Sequence, residues 1–143
     1  MARNAYLEQN SGVSDFKLKY EEIAAARTLT AADSGKVFGI NQASAYEITL
    51  PLAATAGAGW NAKFVLSTVA ANAVTIANNT GEDTIVGMTV GADGGAGSSA
   101  ETAVDEIVFI SGAVLGDTVE LFCNGVNFFA KAVANDVAHI TIS

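Results

Sequence analysis

"TVELFCNGVNFFAKAV", Thr118 to Val133, is the stretch that decides the fold. Val119, Leu121 and Cys123 alternate with polar or outward positions before Asn124-Gly125. Val126, Phe128, Ala130 and Ala132 alternate after it. A period of two places successive side chains on opposite faces of a strand. Asn-Gly between two such runs is the favoured signal for a two-residue hairpin turn, because both positions tolerate positive φ. The expectation is two antiparallel strands, with one phenylalanine of Phe128-Phe129 in a core and the other facing solvent, a partner or a covering arm, Phe129 being the candidate subunit contact.

The same grammar extends outward. "YEITL" (46–50) alternates up to Pro51, the chain's one proline, and "KFVLSTV" (63–69) resumes after a small-residue loop. "KVFGI", "AVTIA", "TIVGMTV", "DEIVFIS" and the terminal "HITIS" supply further short runs separated by Ser, Gly, Asn and Asp clusters. Eight or nine short strands at roughly 8–12-residue spacing, with no convincing helix between them, argue against βαβ units. The reading is an all-β domain, an antiparallel β-sandwich or barrel, with an extended N-terminal arm. The domain spans 28–143 and the arm 1–27. Within the arm, Phe16, Leu18 and Tyr20 alternate with Lys17 and Lys19, while "YEEIAAAR" (20–27) suits either a helical turn or a strand.

The chain has 143 residues, enough for one domain with a core that needs no metal or disulfide. Twenty-seven alanines suit close backbone approach, including contacts between subunits. The single cysteine, Cys123, cannot form an internal disulfide and fits a reducing compartment. No apolar run approaches the length of a membrane span, and the N-terminus lacks a signal-peptide core, so no membrane partner is expected. Charge is unevenly placed. Residues 1–36 balance five cations against five acids, whereas 37–143 hold only Lys63 and Lys131 against ten acids. A body so acidic is repelled by phosphates, which argues against nucleic acid as a partner.

Groups able to do chemistry are few. His139 is the only histidine and has no nucleophile elbow beside it, so it reads as a strand histidine on a sheet face or rim. Cys123 reads as a small buried thiol. One Cys and one His cannot build a usual zinc site. Glu82-Asp83 and Asp105-Glu106 are sequence neighbours, whose strand side chains would point apart rather than face each other across a sugar. Gly95-Ala-Gly97-Ser-Ser-Ala100 fits a dinucleotide fingerprint formally, yet a strand-like run follows it, so a hairpin loop is expected. No catalytic residue, metal or cofactor is assigned. Trp60, at a loop–strand junction, is read as a core edge or subunit contact rather than a ligand platform. Tyr6, Phe16, Lys17, Lys19 and Tyr20 are the arm residues expected to touch a neighbour.

Several segments, in order, resemble the head decoration (cement) proteins of tailed bacteriophages. "RTLTAADSGKVFGINQASAYEITLPLAATAGAGWNAKFVL" (27–66) is similar to that family's opening, with its Ser-Gly turn, ITLP strand and small-residue loop. "TIVG" (84–87), "GDTVELFCNGVNFFAKAVA" (116–134) and "HITIS" (139–143) resemble the later strands. The chain departs from the pattern at Phe128-Phe129, where a Trp often stands, and at Trp60, where a smaller apolar residue is usual. The resemblance implies a sandwich protomer that assembles as a homotrimer on the capsid exterior of a virion. It further implies binding to the major capsid protein and stabilisation of the shell without enzymatic activity. A tail fibre or spike module, contacting host glycans through Trp60 or the 91–100 loop, is the alternative.

Overall fold

The computed structural model describes residues 18–79, 84–96 and 99–143. Among these residues twelve strands form two packed sheets, a β-sandwich. The strands are β1 (Tyr20–Ile23), β2 (Arg27–Thr28), β3 (Lys36–Asn41), β4 (Tyr46–Thr49), β5 (Ala58–Thr68), β6 (Val74–Ala77), β7 (Ile85–Gly91), β8 (Ser99–Val104), β9 (Glu106–Phe109), β10 (Thr118–Asn124), β11 (Phe128–Ala134) and β12 (Ile140–Ile142). The large sheet runs β1-β3-β5-β10-β11-β7-β8 and the small sheet β12-β9-β6-β4-β2. One short helical turn, α1 (Ala53–Ala56), fills the loop after Pro51.

The sheets are mixed, which corrects the expectation of purely antiparallel pairing. From β1 to β7 the chain changes sheet at every strand. Strands that return to the same sheet therefore run parallel: β1 with β3, β3 with β5, β2 with β4, and β4 with β6. A parallel pair needs a crossover that covers the sheet. Here the opposite sheet serves as that cover and no long helix is required. The later strands add antiparallel pairs, β5 with β10, β10 with β11 and β6 with β9, together with the parallel pair β7–β11.

Alternation fixes which side chains are inside. On the small sheet, Ile48, Ile76, Ile107 and Ile142 stand in one inward row, and Tyr46, Val74, Phe109 and Ile140 in the next. They meet Phe38, Phe64, Val119 and Ala132 of the large sheet, where Phe38 and Phe64 stack at 5.4 Å. These side chains are buried in one cluster, except Tyr46, which is half-buried and packs against it. Removing such side chains from water is the main term favouring the fold.

The N-terminal boundary differs from the expected one. Residues 20–27, assigned to the arm, form β1 and β2 and belong to the sandwich. Ile23 is buried beside Ile40, which draws 20–23 into a strand instead of a helical turn. Arg27 then pairs with Glu21, and its Nη2 lies 3.0 Å from Asp33 Oδ1. Lys36 Nζ reaches the same Asp33 oxygen at 2.7 Å and Glu21 Oε2 at 3.1 Å. This four-residue ion network closes the sandwich edge, with the Arg27 guanidinium carbon 5.5 Å from the Phe38 ring centre.

The hairpin at 118–134 forms with a tight turn: Cys123 pairs with Phe128, Asn124 N donates to Asn127 O at 3.1 Å, and Gly125 and Val126 are the central residues, one position later than the Asn-Gly signal places them. Gly125 takes φ of +90° while Asn124 does not become left-handed. The Asn124 side chain reinforces the turn, its Oδ1 accepting from Val126 N at 2.9 Å and Asn127 N at 2.8 Å. Val126 consequently leaves the inward row and is exposed.

Candidate interaction face

The two outer faces of the sandwich differ in chemistry. On the small sheet the outward rows read Thr28, Thr49, Ala77, Glu106 and Glu47, Thr75, Val108, Thr141. That is a polar, threonine-rich surface suited to water. On the large sheet the three central rows read Asn61, Phe122, Phe129, Val86, then Lys63, Glu120, Lys131, Met88, then Val65, Thr118, Val133, Val90. Phe122 is 50% exposed and Phe129 42%, and Met88, Val90 and Val133 are exposed as well. The apolar side chains flank the charged Lys63–Glu120–Lys131 row and join past it through Val86 and Met88 on β7, and exposed apolar patches of this kind mark interaction surfaces.

The reason lies in strand parity. Leu121, Cys123, Phe128, Ala130 and Ala132 all point inward and are buried. Their neighbours Phe122 and Phe129 must therefore point out, and the register sets them directly opposite each other. Cross-strand aromatic pairs of this kind stabilise a sheet modestly, by about 0.2–1 kcal/mol. An open depression of about 390 Å³ lies here between β5, β10 and β11. Lys63 and Lys131 flank it, with Glu120 between them in the same row. Lys63 Nζ is 3.2 Å from Glu120 Oε1.

The residues expected from sequence fall in different places. Phe129 lies at the centre of the exposed face. Trp60 does not; at 2% exposed it is a core residue. Its ring meets Phe128 edge-on at 5.5 Å, and its Nε1 donates to Thr30 O at 3.1 Å. It thus has no surface for a subunit contact or a sugar. Burial follows from its phase in β5, which it shares with Ala62, Phe64 and Leu66. Lys19 and Tyr20 are exposed beside β1, at the rim of the large sheet. Tyr20 lies over Gly39, a position where a Cβ would fall 2.0 Å from the phenol oxygen. Tyr6, Phe16 and Lys17 lie outside the described residues, as do Glu82 and Asp83.

Sequence reading missed Phe122, although its parity opposite Leu121 and Cys123 carried the signal. It also missed a buried carboxylate at Asp117, 2% exposed. Asp117 accepts from Asn135 N at 2.8 Å, from Val114 N at 2.9 Å, and lies 2.8 Å from His139 Nδ1. These partners satisfy a carboxylate that burial would otherwise penalise, and they tie the 111–117 and 135–139 segments together. His139 ends a 3-10 turn before β12 and faces this carboxylate. Cys123 is buried, its thiol directed at Ala53 O and accepting from Gly125 N. Among the described residues no three His, Cys, Asp or Glu side chains gather as a metal site.

The ion network at Asp33 shifts its members in directions set by their neighbours. The Arg27 guanidinium, followed by the Lys36 ammonium, holds Glu21 below the usual carboxylate range. Burial pushes Asp33 up, yet Lys36 and the backbone and hydroxyl of Thr30 outweigh it and leave Asp33 lowered. Lys36 is raised by Asp33 first and Glu21 second. Each charge has an opposite partner, so the network is a structural lock and not a binding site.

Comparison with protein-family models, curated proteins and solved structures finds no match for this chain.

Proposed function

We propose that this chain is a non-enzymatic structural protein of a virion. In this reading it assembles as a homotrimer on the capsid exterior and stabilises the shell by gripping the major capsid protein. The outer face of the large sheet is the gripping surface. The observation that carries the reading is the contrast between faces: exposed Phe122, Phe129, Met88, Val90 and Val133 on one sheet, threonines and glutamates on the other. A protein that works by adhesion needs one such face. The apolar core of an interface supplies most of its affinity, and aromatic anchors are the side chains most often responsible. The ordered resemblance of residues 27–143 to head decoration proteins supports the virion class. Many copies on a closed shell would turn modest single contacts into firm attachment.

The test uses purified protein and undecorated capsids of the producing phage. Binding to a fixed stoichiometry is expected, with a trimer mass in light scattering. A Phe122→Asp/Phe129→Asp double variant should keep its circular dichroism spectrum and lose capsid binding. Failure of the unaltered protein to bind capsids at any salt concentration would remove the reading.

A further inference from the structure

We propose that the Phe122–Phe129 depression is a recognition groove for an extended, acidic segment of the partner protein that carries an apolar or aromatic side chain. This rests on the reading of the large-sheet face as the gripping surface and adds the chemistry of what it grips. The argument comes from charge. Between residues 37 and 143 the chain has two cations, Lys63 and Lys131, against ten acids. The fold brings both cations to one row of one face, two strands apart, or roughly 10 Å at ordinary strand spacing. They stand on either side of Glu120 and next to the aromatic pair.

An acidic body thus has a local excess of positive charge beside the exposed rings of Phe122 and Phe129. Of the two lysines, Lys63 is paired with Glu120. Lys131 faces the same glutamate across the strands and makes no ion pair with it. It is the cation available to an incoming carboxylate. The two rings offer an apolar seat, and Asn61, at the mouth, offers an amide to a backbone group. Charge complementarity of this kind sets partner choice and encounter rate, while the rings supply contact area. A segment that is acidic but lacks an apolar side chain would leave the rings wet. An apolar segment without acids would leave Lys131 unanswered.

The experiment measures fluorescence anisotropy of a dye-labelled, end-blocked peptide Asp-Glu-Phe-Glu-Asp with the full chain, at low salt. Its counterpart carries Asn and Gln in place of the acids. The acidic peptide should bind about tenfold tighter than the amide peptide, as one charge interaction at a partly exposed site allows. Lys131→Glu should lower affinity by a similar factor. Glu120→Gln should raise it, because it removes the groove's one anion and frees Lys63. A gain cannot come from a variant that has failed to fold. Equal binding of the two peptides, or no gain in Glu120→Gln, would overturn the groove. So would a concentration-dependent rise in mass that Lys131→Glu abolishes, since the occupant would then be a second copy. Capsid binding that survives Lys131→Glu but not the double Phe change rejects the groove and leaves the gripping face standing. Peptide binding with the expected ranking, in a chain that ignores capsids, rejects the virion reading and leaves the groove.

Discussion

Replacing Trp60 separates a core residue from a contact residue more sharply than any other change. In Trp60→Ala the edge-on contact with Phe128 disappears, a contact of a type worth about 0.5–1.5 kcal/mol beyond its buried area. The cavity left by an indole in a packed core brings the total to about 3–5 kcal/mol, as for other buried aromatic truncations. Thr30 O also loses its donor, the Nε1 hydrogen bond at 3.1 Å. For a chain of this length about 1 kcal/mol moves the thermal midpoint by about 2–4 °C, so a fall of about 10–15 °C is expected. Trp60→Phe keeps most of the ring but not the hydrogen bond, and should cost about 1–2 kcal/mol. Differential scanning calorimetry at two protein concentrations tenfold apart is the assay. The loss should be the same at both, because the contacts are within one protomer. A loss below about 1 kcal/mol, or one that depends on protein concentration, would show that Trp60 acts between subunits and that the packing argument is wrong.

Three further outcomes follow from other parts of the fold. Glu21 and Asp33 are lowered in the folded state, so their contribution is fully present above the ordinary carboxylate pKa of about 4 and is lost as pH falls from there through their lowered folded-state values. Lys36 is raised, so its contribution is present below about 10.5 and is lost at higher pH. Thermal midpoints measured from pH 2 to 12 should therefore fall at both ends, and Asp33→Asn should flatten the acid limb. Gly87→Ala places a Cβ 2.2 Å from Ala130 O, a backbone atom, and should destabilise the β7–β11 pairing strongly. Gly39→Ala meets two side chains, the far end of exposed Tyr20 and Ser67 Oγ at 2.9 Å, rather than backbone, and should cost less; equal losses in calorimetry would refute the distinction. Deleting residues 1–17 should leave the β-sheet circular dichroism intact, whereas deleting 1–28 removes β1, β2 and Arg27 from the closed edge and should unfold the domain.

Much of the sandwich was legible from period-two alternation because its strands each bury one face. Val119, Leu121 and Cys123, or Ile140 and Ile142, could be assigned inward from sequence alone. Strand direction was not legible. Alternation is indifferent to whether a neighbour runs parallel or antiparallel, and only the order in which the chain changes sheet decides it. The arm boundary was misplaced for a related reason. "YEEI" has one core residue, Ile23, and its strand character depends on Ile40 beside it, seventeen positions later. Asp117 and His139 were invisible as a pair because twenty-two residues separate them. The site was half legible: Phe129 was singled out from parity with Phe128, while Phe122 followed the same rule from Cys123 and was passed over. For Trp60 the sequence leaves core edge and subunit contact open, because the loop before it hides its phase in β5, and that phase decides for the core.

The apolar face and the uneven charge are two consequences of one constraint. A sandwich built from alternating strands has two outer faces, and whatever the inward residues do not fix is free to vary on them. Here the small sheet takes threonine and glutamate on its outer side, which keeps that side in water and discourages edge or face association. The large sheet takes Phe, Val and Met, which leave it poorly hydrated in isolation. A monomer gains nothing from such a face, since exposed aromatics contribute little to folding and invite nonspecific contact. Confining both body lysines to that face gives it a direction as well as an appetite. The acidic remainder repels polyanions, and in the proposed groove a carboxylate-bearing partner would meet both lysines where its apolar side chain can also be dried.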